Sequence, residues 1–122
     1  MARVMIVDDS PTDVQNLKAI LLKAGHQVIE SSSGQDAIAR VRVERPDVVI
    51  MDVVMPGVNG FQATRTLSKD PATSLVPIIV VSSKNQETDR VWALRQGARE
   101  YLVKPVRETD LLAKIKIVLG NH

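Results

Sequence analysis

The stretch Val48-Val49-Ile50-Met51-Asp52 consists of four apolar residues followed by a carboxylate. A short run of β-branched and other apolar residues is typical of a strand that is buried on both faces. Three further runs have the same character: Val4–Val7, Val76–Val81 and Tyr101–Val103. A fifth run, His26–Glu30, is more polar and predicts an edge strand. The sequence therefore predicts five strands, four of them buried on both faces.

The segments between these strands have helical spacing. Leu17, Ile20 and Leu21 share one stripe of the first such segment, and Leu111, Ile115 and Val118 share one stripe of the last. Helix start and stop signals flank the segments: Ser10 with Pro11, Ser33, Gly25, Gly97 and Gly120. Strict alternation of five strands with five helices predicts a doubly wound α/β domain with a parallel sheet.

Length and composition favour a single domain, residues 1–122. A chain of 122 residues with 44% hydrophobic content is long enough for one compact core and too short for two ordinary domains. The chain has no cysteine and no apolar run of the roughly 20 residues that a membrane-spanning helix needs. We expect a cytoplasmic protein that does not insert into membranes and carries no attached effector domain.

The charges argue against nucleic-acid binding. Sixteen basic and fourteen acidic residues give a net charge of +2, and the basic residues are scattered along the chain. A single Phe, a single Trp and a single Tyr also provide no platform on which bases could stack. We therefore expect protein partners and no nucleic-acid partner.

Polar side chains follow four of the predicted strands. Asp8 and Asp9 follow the first strand, Asp52 ends the third, Ser82 follows the fourth and Lys104 follows the fifth. The carboxyl ends of parallel strands meet at one edge of an open α/β sheet, where ligands bind. We expect these side chains to lie close together at that edge.

The chemistry of this set points to a cation and a phosphoryl group. Two carboxylates about 4 Å apart repel by roughly 4 kcal/mol at a protein surface, so a cation is expected. An all-oxygen site open to water suits Mg²⁺. Asp52 could then act as a nucleophile, with Lys104 and Ser82 holding the incoming phosphoryl oxygens. Each residue alone has an ordinary explanation in a helix terminus, a turn or a solvated surface, and only the joint placement argues for function.

The motifs at these strand ends resemble the receiver family of two-component response regulators. They occur in the family's order over essentially the whole chain: Val7-Asp8-Asp9-Ser10, Met51-Asp52-Val53-Val54-Met55-Pro56-Gly57-Val58-Asn59-Gly60, Val81-Ser82-Ser83 and Val103-Lys104-Pro105. The resemblance implies a flavodoxin-like sheet with strand order 2-1-3-4-5. It also implies a signalling switch that catalyses only its own phosphorylation and dephosphorylation.

The resemblance assigns roles to the acidic residues. Asp52 corresponds to the residue that accepts the phosphoryl group from a histidine kinase, and Lys104 to the family's lysine. Asp9, Asp52 and the backbone carbonyl of Val54 correspond to the Mg²⁺ ligands, with Asp8 in support. A cis Lys104-Pro105 bond is expected, and the Asn59-Gly60 turn is expected to contain a residue with positive φ.

The resemblance also predicts how the signal leaves the site. Ser82 and Tyr101 correspond to the family's switch pair, in which Tyr101 would turn inward from an exposed rotamer after phosphorylation. The output surface would comprise the helix around 87–96, the strand around 99–103 and the last helix. We expect a monomer that contacts a downstream protein effector or acts as a phosphate sink.

Three segments look like single-domain receivers of the chemosensory systems that control type IV pili and twitching motility: Asn59–Arg65, Gln86–Trp92 and Arg95–Tyr101. We therefore expect the kinase of a chemosensory array as partner. Ser83 stands where alanine is frequent in the family, and Val54 and Lys84 occupy positions that tune dephosphorylation. These three residues leave the phosphoryl lifetime open.

Three other functions fit the sequence less well. A haloacid-dehalogenase-like phosphatase would carry an Asp-x-Asp-x-Thr arrangement after the first strand, where this chain has the adjacent Asp8 and Asp9. A flavodoxin needs a loop rich in glycine and hydroxyls there, and the two carboxylates would repel the flavin phosphate. A pseudo-receiver without phosphorylation would not be expected to keep every acidic residue together with Lys104.

Overall fold

A computed structural model describes residues 1–120 of the chain, so the last two residues of the predicted domain lie outside the described residues. Strands and helices alternate in the order β1 (Arg3–Val7), α1 (Pro11–Lys23), β2 (Gln27–Ser31), α2 (Gly34–Glu44), β3 (Val48–Asp52), α3 (Gly60–Lys69), β4 (Ile78–Ser82), α4 (Glu87–Arg95), β5 (Glu100–Val103) and α5 (Glu108–Leu119). This alternation confirms the predicted α/β architecture.

The five strands form one parallel sheet in the order β2-β1-β3-β4-β5, as predicted. The central strand β3 pairs with β1 on one side and β4 on the other, so that Ile50 lies level with Ile6 and Ile79. This order places β1 and β3 side by side at the centre. The residues that follow these two strands therefore emerge next to each other at one edge of the sheet.

Alternate residues of each strand fill two separate cores. Met5, Val7 and Val49 face one core, beneath α2, α3 and α4. Ile6 and Ile50 face the other, beneath α1 and α5. Full burial of one such aliphatic side chain contributes roughly 1.5–3 kcal/mol to the stability of the fold. Because side chains are buried on both faces of the central strands, both cores stabilise the sheet. The site at the sheet edge thus rests on the most buried elements of the fold.

The predicted helix starts are confirmed in α1 and α2. Pro11 is the first residue of α1, and the Ser10 hydroxyl accepts a hydrogen bond from the Asp13 amide at 3.4 Å. The Ser33 hydroxyl accepts from the Asp36 amide at 3.1 Å in the same way. Such caps satisfy backbone donors that have no partner within the helix. The cap on α1 fixes where the chain turns after β1.

The predicted burial of the last strand is wrong. We expected the segment Tyr101–Val103 to be buried on both faces, but β5 is half-buried and Val103 is exposed. The reason is position: β5 lies at the edge of the sheet and pairs only with β4. The fourth strand is also shorter than predicted, since it begins at Ile78 and excludes Val76 and Pro77.

Two smaller expectations can be compared with the structure. The Lys104-Pro105 peptide bond is cis, as predicted. Within residues 1–120, none of the helices combines the length and the apolar character required to cross a membrane.

Candidate functional site

Three carboxylates meet at the carboxyl edge of the central strands. Asp8 and Asp9 follow β1 and Asp52 ends β3, and one oxygen of each lies within 4.8 Å of the others. Asp8 and Asp52 are buried, whereas Asp9 is exposed. We call these three residues the acidic cluster. It is built on two buried strands and is open to solvent on the side of Asp9.

Backbone contacts hold Asp8 in place. Its amide donates to the carbonyl of Ser31 at 3.1 Å, which continues the pairing of β1 with β2. Its Oδ1 accepts from the amide of Ser10 at 2.9 Å, so the carboxylate is tied to the turn that enters α1. The other oxygen, Oδ2, accepts a hydrogen bond from Lys104.

Lys104 joins the acidic cluster from the end of β5. Its Nζ lies 2.9 Å from Asp8 Oδ2, 3.2 Å from Asp52 Oδ1 and 2.7 Å from Asp13 Oδ2. Burial alone would lower the pKa of Lys104, but the hydrogen bonds to Asp13 and Asp8 and the charge of Asp52 outweigh it and raise the pKa. Lys104 is therefore a permanent cation beside Asp52.

The environment of Asp52 disfavours its charged form. Burial raises the pKa of Asp52, and the negative charge of Asp8 raises it further. The Lys104 ammonium and a backbone hydrogen bond from Val53 act in the opposite direction without cancelling the rise. Asp8, Asp13 and Asp52 share the single positive charge of Lys104. The site therefore retains an excess of negative charge, which a metal cation would offset.

Asp13 is the member of the site that sequence reasoning missed. It lies in the first turn of α1 and is the nearest of the three carboxylates to Lys104 Nζ. An acidic residue in the first turn of a helix is common, because it interacts favourably with the helix dipole. Its sequence position therefore carried no signal that would separate a contact with Lys104 from an ordinary helix start.

Ser82 and Tyr101 both contact Lys84. Ser82 is fully buried at the end of β4, and its hydroxyl accepts from the Lys84 amide at 3.1 Å. The Tyr101 hydroxyl donates to the Lys84 carbonyl at 2.7 Å, and the half-buried ring packs against the core beneath α2, α3 and α4. Burial raises the pKa of Tyr101. The expected exposed rotamer of Tyr101 is therefore wrong, because the hydroxyl bond and the core contacts hold the ring inward.

The loop from β3 to α3 begins directly after Asp52, a member of the acidic cluster. Val54 is exposed, whereas its neighbours Val53 and Met55 are buried. At the other end of the loop, Asn59 caps α3 by exchanging hydrogen bonds with Gln62. The positive φ expected at the Asn59-Gly60 turn lies instead at Gly57, with φ of 75°. Gly60 is the first residue of α3, where its lack of a side chain allows close contact with Asp52.

The donor set fits a hard divalent cation. All three cluster side chains offer carboxylate oxygens, and Asp9 keeps one side of the site open to water. Mg²⁺ prefers oxygen ligands, keeps several waters and is held in proteins by a few carboxylates. The residues that are present are therefore compatible with Mg²⁺ together with a phosphoryl group.

Comparison with known proteins agrees with this geometry. The model of the response regulator receiver domain matches residues 4–116. The chain is 60% identical to Protein PilH of Pseudomonas aeruginosa over 121 residues, which cover 99% of this chain and all of that protein.

Solved structures resemble the fold closely. Chemotaxis protein CheY4 of Vibrio cholerae superposes with a TM-score of 0.89 at 30% identity, over 97% of this chain and 98% of that one. The receiver domain of a sensor histidine kinase of Pseudomonas aeruginosa superposes with a TM-score of 0.90 at 27% identity, over 98% of both chains. That structure contains a magnesium ion coordinated in its active-site cleft. The match over residues 4–116 shows that the chain belongs to the response regulator receiver family.

Proposed function

We propose that this chain is a phospho-accepting switch of a two-component phosphorelay, with Asp52 as the acceptor. The observation that carries the proposal is the convergence of Lys104, Asp8 and Asp52 at the carboxyl edge of the sheet. Asp52 is held at the end of the central strand, where its second oxygen is free of the contact that Oδ1 makes with Lys104. A fixed carboxylate beside a fixed ammonium suits attack on a phosphoryl group.

The transfer needs no residue beyond those described. A carboxylate oxygen of Asp52 forms a bond to phosphorus, and the bond from phosphorus to the kinase histidine nitrogen breaks. The phosphohistidine ring carries a proton on its other nitrogen, so the nitrogen that takes the electron pair of the broken bond leaves as part of a neutral imidazole. Lys104 donates to a phosphoryl oxygen, and the buried Ser82 hydroxyl donates to another after leaving its contact with the Lys84 amide.

Asp9, Asp52 and the backbone carbonyl of Val54 would hold Mg²⁺, with Asp8 in support. When bound, the ion would offset the negative charge of the cluster as an anionic phosphoryl donor approaches. Asp9 is the exposed carboxylate among these ligands, so its removal would weaken metal binding without disturbing the buried strands. The same site would carry the hydrolysis of the aspartyl phosphate, and Val54 and Lys84 would tune its rate.

The partners follow from the proposed reaction. The phosphoryl donor would be the histidine kinase of a chemosensory array. The protein would act in the cytoplasm, where ATP-dependent kinases work, and it would act as a monomer. The resemblance of Asn59–Arg65, Gln86–Trp92 and Arg95–Tyr101 to twitching-motility receivers and the 60% identity to PilH support a role in control of type IV pili. The output would pass through the Ser82 and Tyr101 contacts with Lys84 to a protein effector.

Intact mass measures the acceptor directly. The protein is incubated with a small phosphodonor and Mg²⁺, and one added phosphoryl group of about 80 Da is expected in the wild type. The Asp52→Asn variant should show no such species. The matched control is Asp110→Asn, an exposed aspartate in the first turn of α5, which should be modified like the wild type. Undiminished modification of Asp52→Asn would refute the proposal.

A further inference from the structure

All three hydrogen-bond donors of the Lys104 ammonium group are directed at carboxylates. An ammonium group has three N–H donors. Its Nζ contacts three carboxylates: Asp13 at 2.7 Å, Asp8 at 2.9 Å and Asp52 at 3.2 Å. With one donor on each, Lys104 has none left for an oxygen of a phosphoryl group on Asp52. One of the three contacts must be released when such a group arrives.

The contact with Asp13 is the easiest of the three to release. The side chain of Asp13 is 36% exposed, so water can solvate its carboxylate when the lysine leaves. The side chain of Asp8 is only 2% exposed and would be left as a buried charge without its cation. A buried unpaired charge costs far more than an exposed one. Asp52 would itself carry the phosphoryl group, so Lys104 would stay beside it when the group arrives.

We propose that Asp13 is a positioning residue that competes with the phosphoryl group for Lys104 and so disfavours the phosphorylated state. The inference rests on the proposed function, since it needs Asp52 to be the acceptor. Asp13 holds the ammonium toward α1, and the contact joins the first turn of that helix to the residue that follows β5. The phosphorylated state forms only after Lys104 exchanges the Asp13 oxygen for a phosphoryl oxygen.

Beryllofluoride, a phosphoryl analogue, with Mg²⁺ provides the test. Asp13→Asn should bind it about two- to fivefold more tightly than the wild type, which is the range expected for loss of a partly exposed ion pair. Asp13→Asn should also lower the melting temperature without Mg²⁺ by a few degrees at most, because the ion pair that opposes analogue binding stabilises the unliganded protein by the same modest amount. In a crystal structure of the wild-type complex, Lys104 Nζ should contact the analogue and no longer lie within hydrogen-bond distance of Asp13.

Two matched variants separate competition for Lys104 from a general effect of charge. Glu30→Gln removes one negative charge from the depression that Asp8 and Asp9 also line, but Glu30 pairs with Lys18 and not with Lys104. It should leave analogue affinity unchanged. In a Lys104→Met background, Asp13→Asn should no longer tighten binding, because the two substitutions act through one contact. If Lys104→Met binds no analogue, the affinities of Asp13→Asn and Glu30→Gln are compared instead. A gain in Asp13→Asn alone supports competition for Lys104, and an equal gain in both refutes it.

The results that would overturn the inference are distinct from those that would overturn the function. Unchanged or weaker binding in Asp13→Asn refutes competition, as does an equal gain in Glu30→Gln or in the Lys104→Met background. Retention of the contact between Lys104 and Asp13 in the analogue complex also refutes it. Absence of analogue binding by the wild type, or binding that survives Asp52→Asn, removes the proposed acceptor and with it the basis for the Asp13 role.

Discussion

Gly60 lies directly against the backbone of Asp52. A Cβ added at Gly60 would overlap the carbonyl oxygen of Asp52 and lie 2.8 Å from its carbonyl carbon. The Gly60 amide also donates to the Val53 carbonyl at 3.0 Å, which closes the loop from β3 onto the start of α3. The shape of the backbone around the proposed acceptor thus depends on a residue eight positions later in the chain.

Gly60→Ala should destabilise the fold by about 3 kcal/mol, because the new methyl group must displace backbone rather than a flexible side chain. Urea unfolding followed by circular dichroism measures this loss. Gly25→Ala is the control: Gly25 has φ of 88° and nothing within 4 Å of an added Cβ, so backbone strain alone should cost about 1 kcal/mol. Equal losses in the two variants would argue against the close contact at Asp52.

Asp52→Asn should raise the melting temperature by several degrees at pH 7 without metal. The pKa of Asp52 is raised in the fold by burial and by Asp8, so the folded state disfavours the charged carboxylate. The contribution of Asp52 to wild-type stability is therefore fully present below the ordinary pKa of an aspartate and is lost as pH rises through the higher folded value. The difference between variant and wild type should vanish in acid and should narrow when Mg²⁺ is added. A variant less stable than the wild type at pH 7 would contradict this.

His26 should make stability depend on pH below neutrality. Its Nδ1 accepts a hydrogen bond from the Ala2 amide at 3.0 Å, which requires the neutral ring. Burial and the N-terminal charge lower the pKa of His26. The stability that this bond contributes, about 1 kcal/mol, is present above the ordinary histidine pKa and is lost as pH falls through the lower folded value. His26→Asn, which can still accept through Oδ1, should lose less stability between pH 7 and 5 in thermal melts. An identical pH profile would exclude His26 as the cause.

Tyr101→Phe should loosen the loop between β4 and α4. The variant keeps the ring against the core but loses the hydroxyl bond to the Lys84 carbonyl, worth about 0.5–1.5 kcal/mol. Amide hydrogen exchange should accelerate at residues 83–86 and remain unchanged in β1 and β3. Phe61→Leu, a change at another partly buried ring of the same core, should not affect that loop selectively. Unchanged exchange in Tyr101→Phe would mean that the hydroxyl does not hold the loop.

The same contact tests the switch. If Ser82 and Tyr101 transmit phosphorylation through Lys84, beryllofluoride should shift the NMR amide signals of residues 84–103 in the wild type. Ser82→Ala should reduce those shifts, since the hydroxyl that could leave Lys84 for the phosphoryl group is gone. Shifts of full size in both Ser82→Ala and Tyr101→Phe would show that the signal leaves by another face.

The sequence alone determined the architecture and most of the site. Strand runs such as Val48–Met51 and the caps at Ser10 and Ser33 depend on local composition, and their alternation leaves a parallel sheet as the expected arrangement. Asp8 and Asp52 could be placed together because they follow strands that such a sheet brings side by side. Strand-end positions therefore carry information about three-dimensional proximity even when the residues are far apart in the chain.

Only the tertiary structure decided the contacts that do not follow from strand ends. Asp13 has an ordinary helix-start position, and its contact with Lys104, 91 residues away, depends on the tertiary fold, which brings the start of α1 and the residue after β5 to the same edge of the sheet. The inward position of Tyr101 likewise depends on the path of the loop at Lys84. Gly60 is required by a close approach to Asp52 rather than by its own φ. Each of these depends on distances between packed elements, which no periodicity or local propensity encodes.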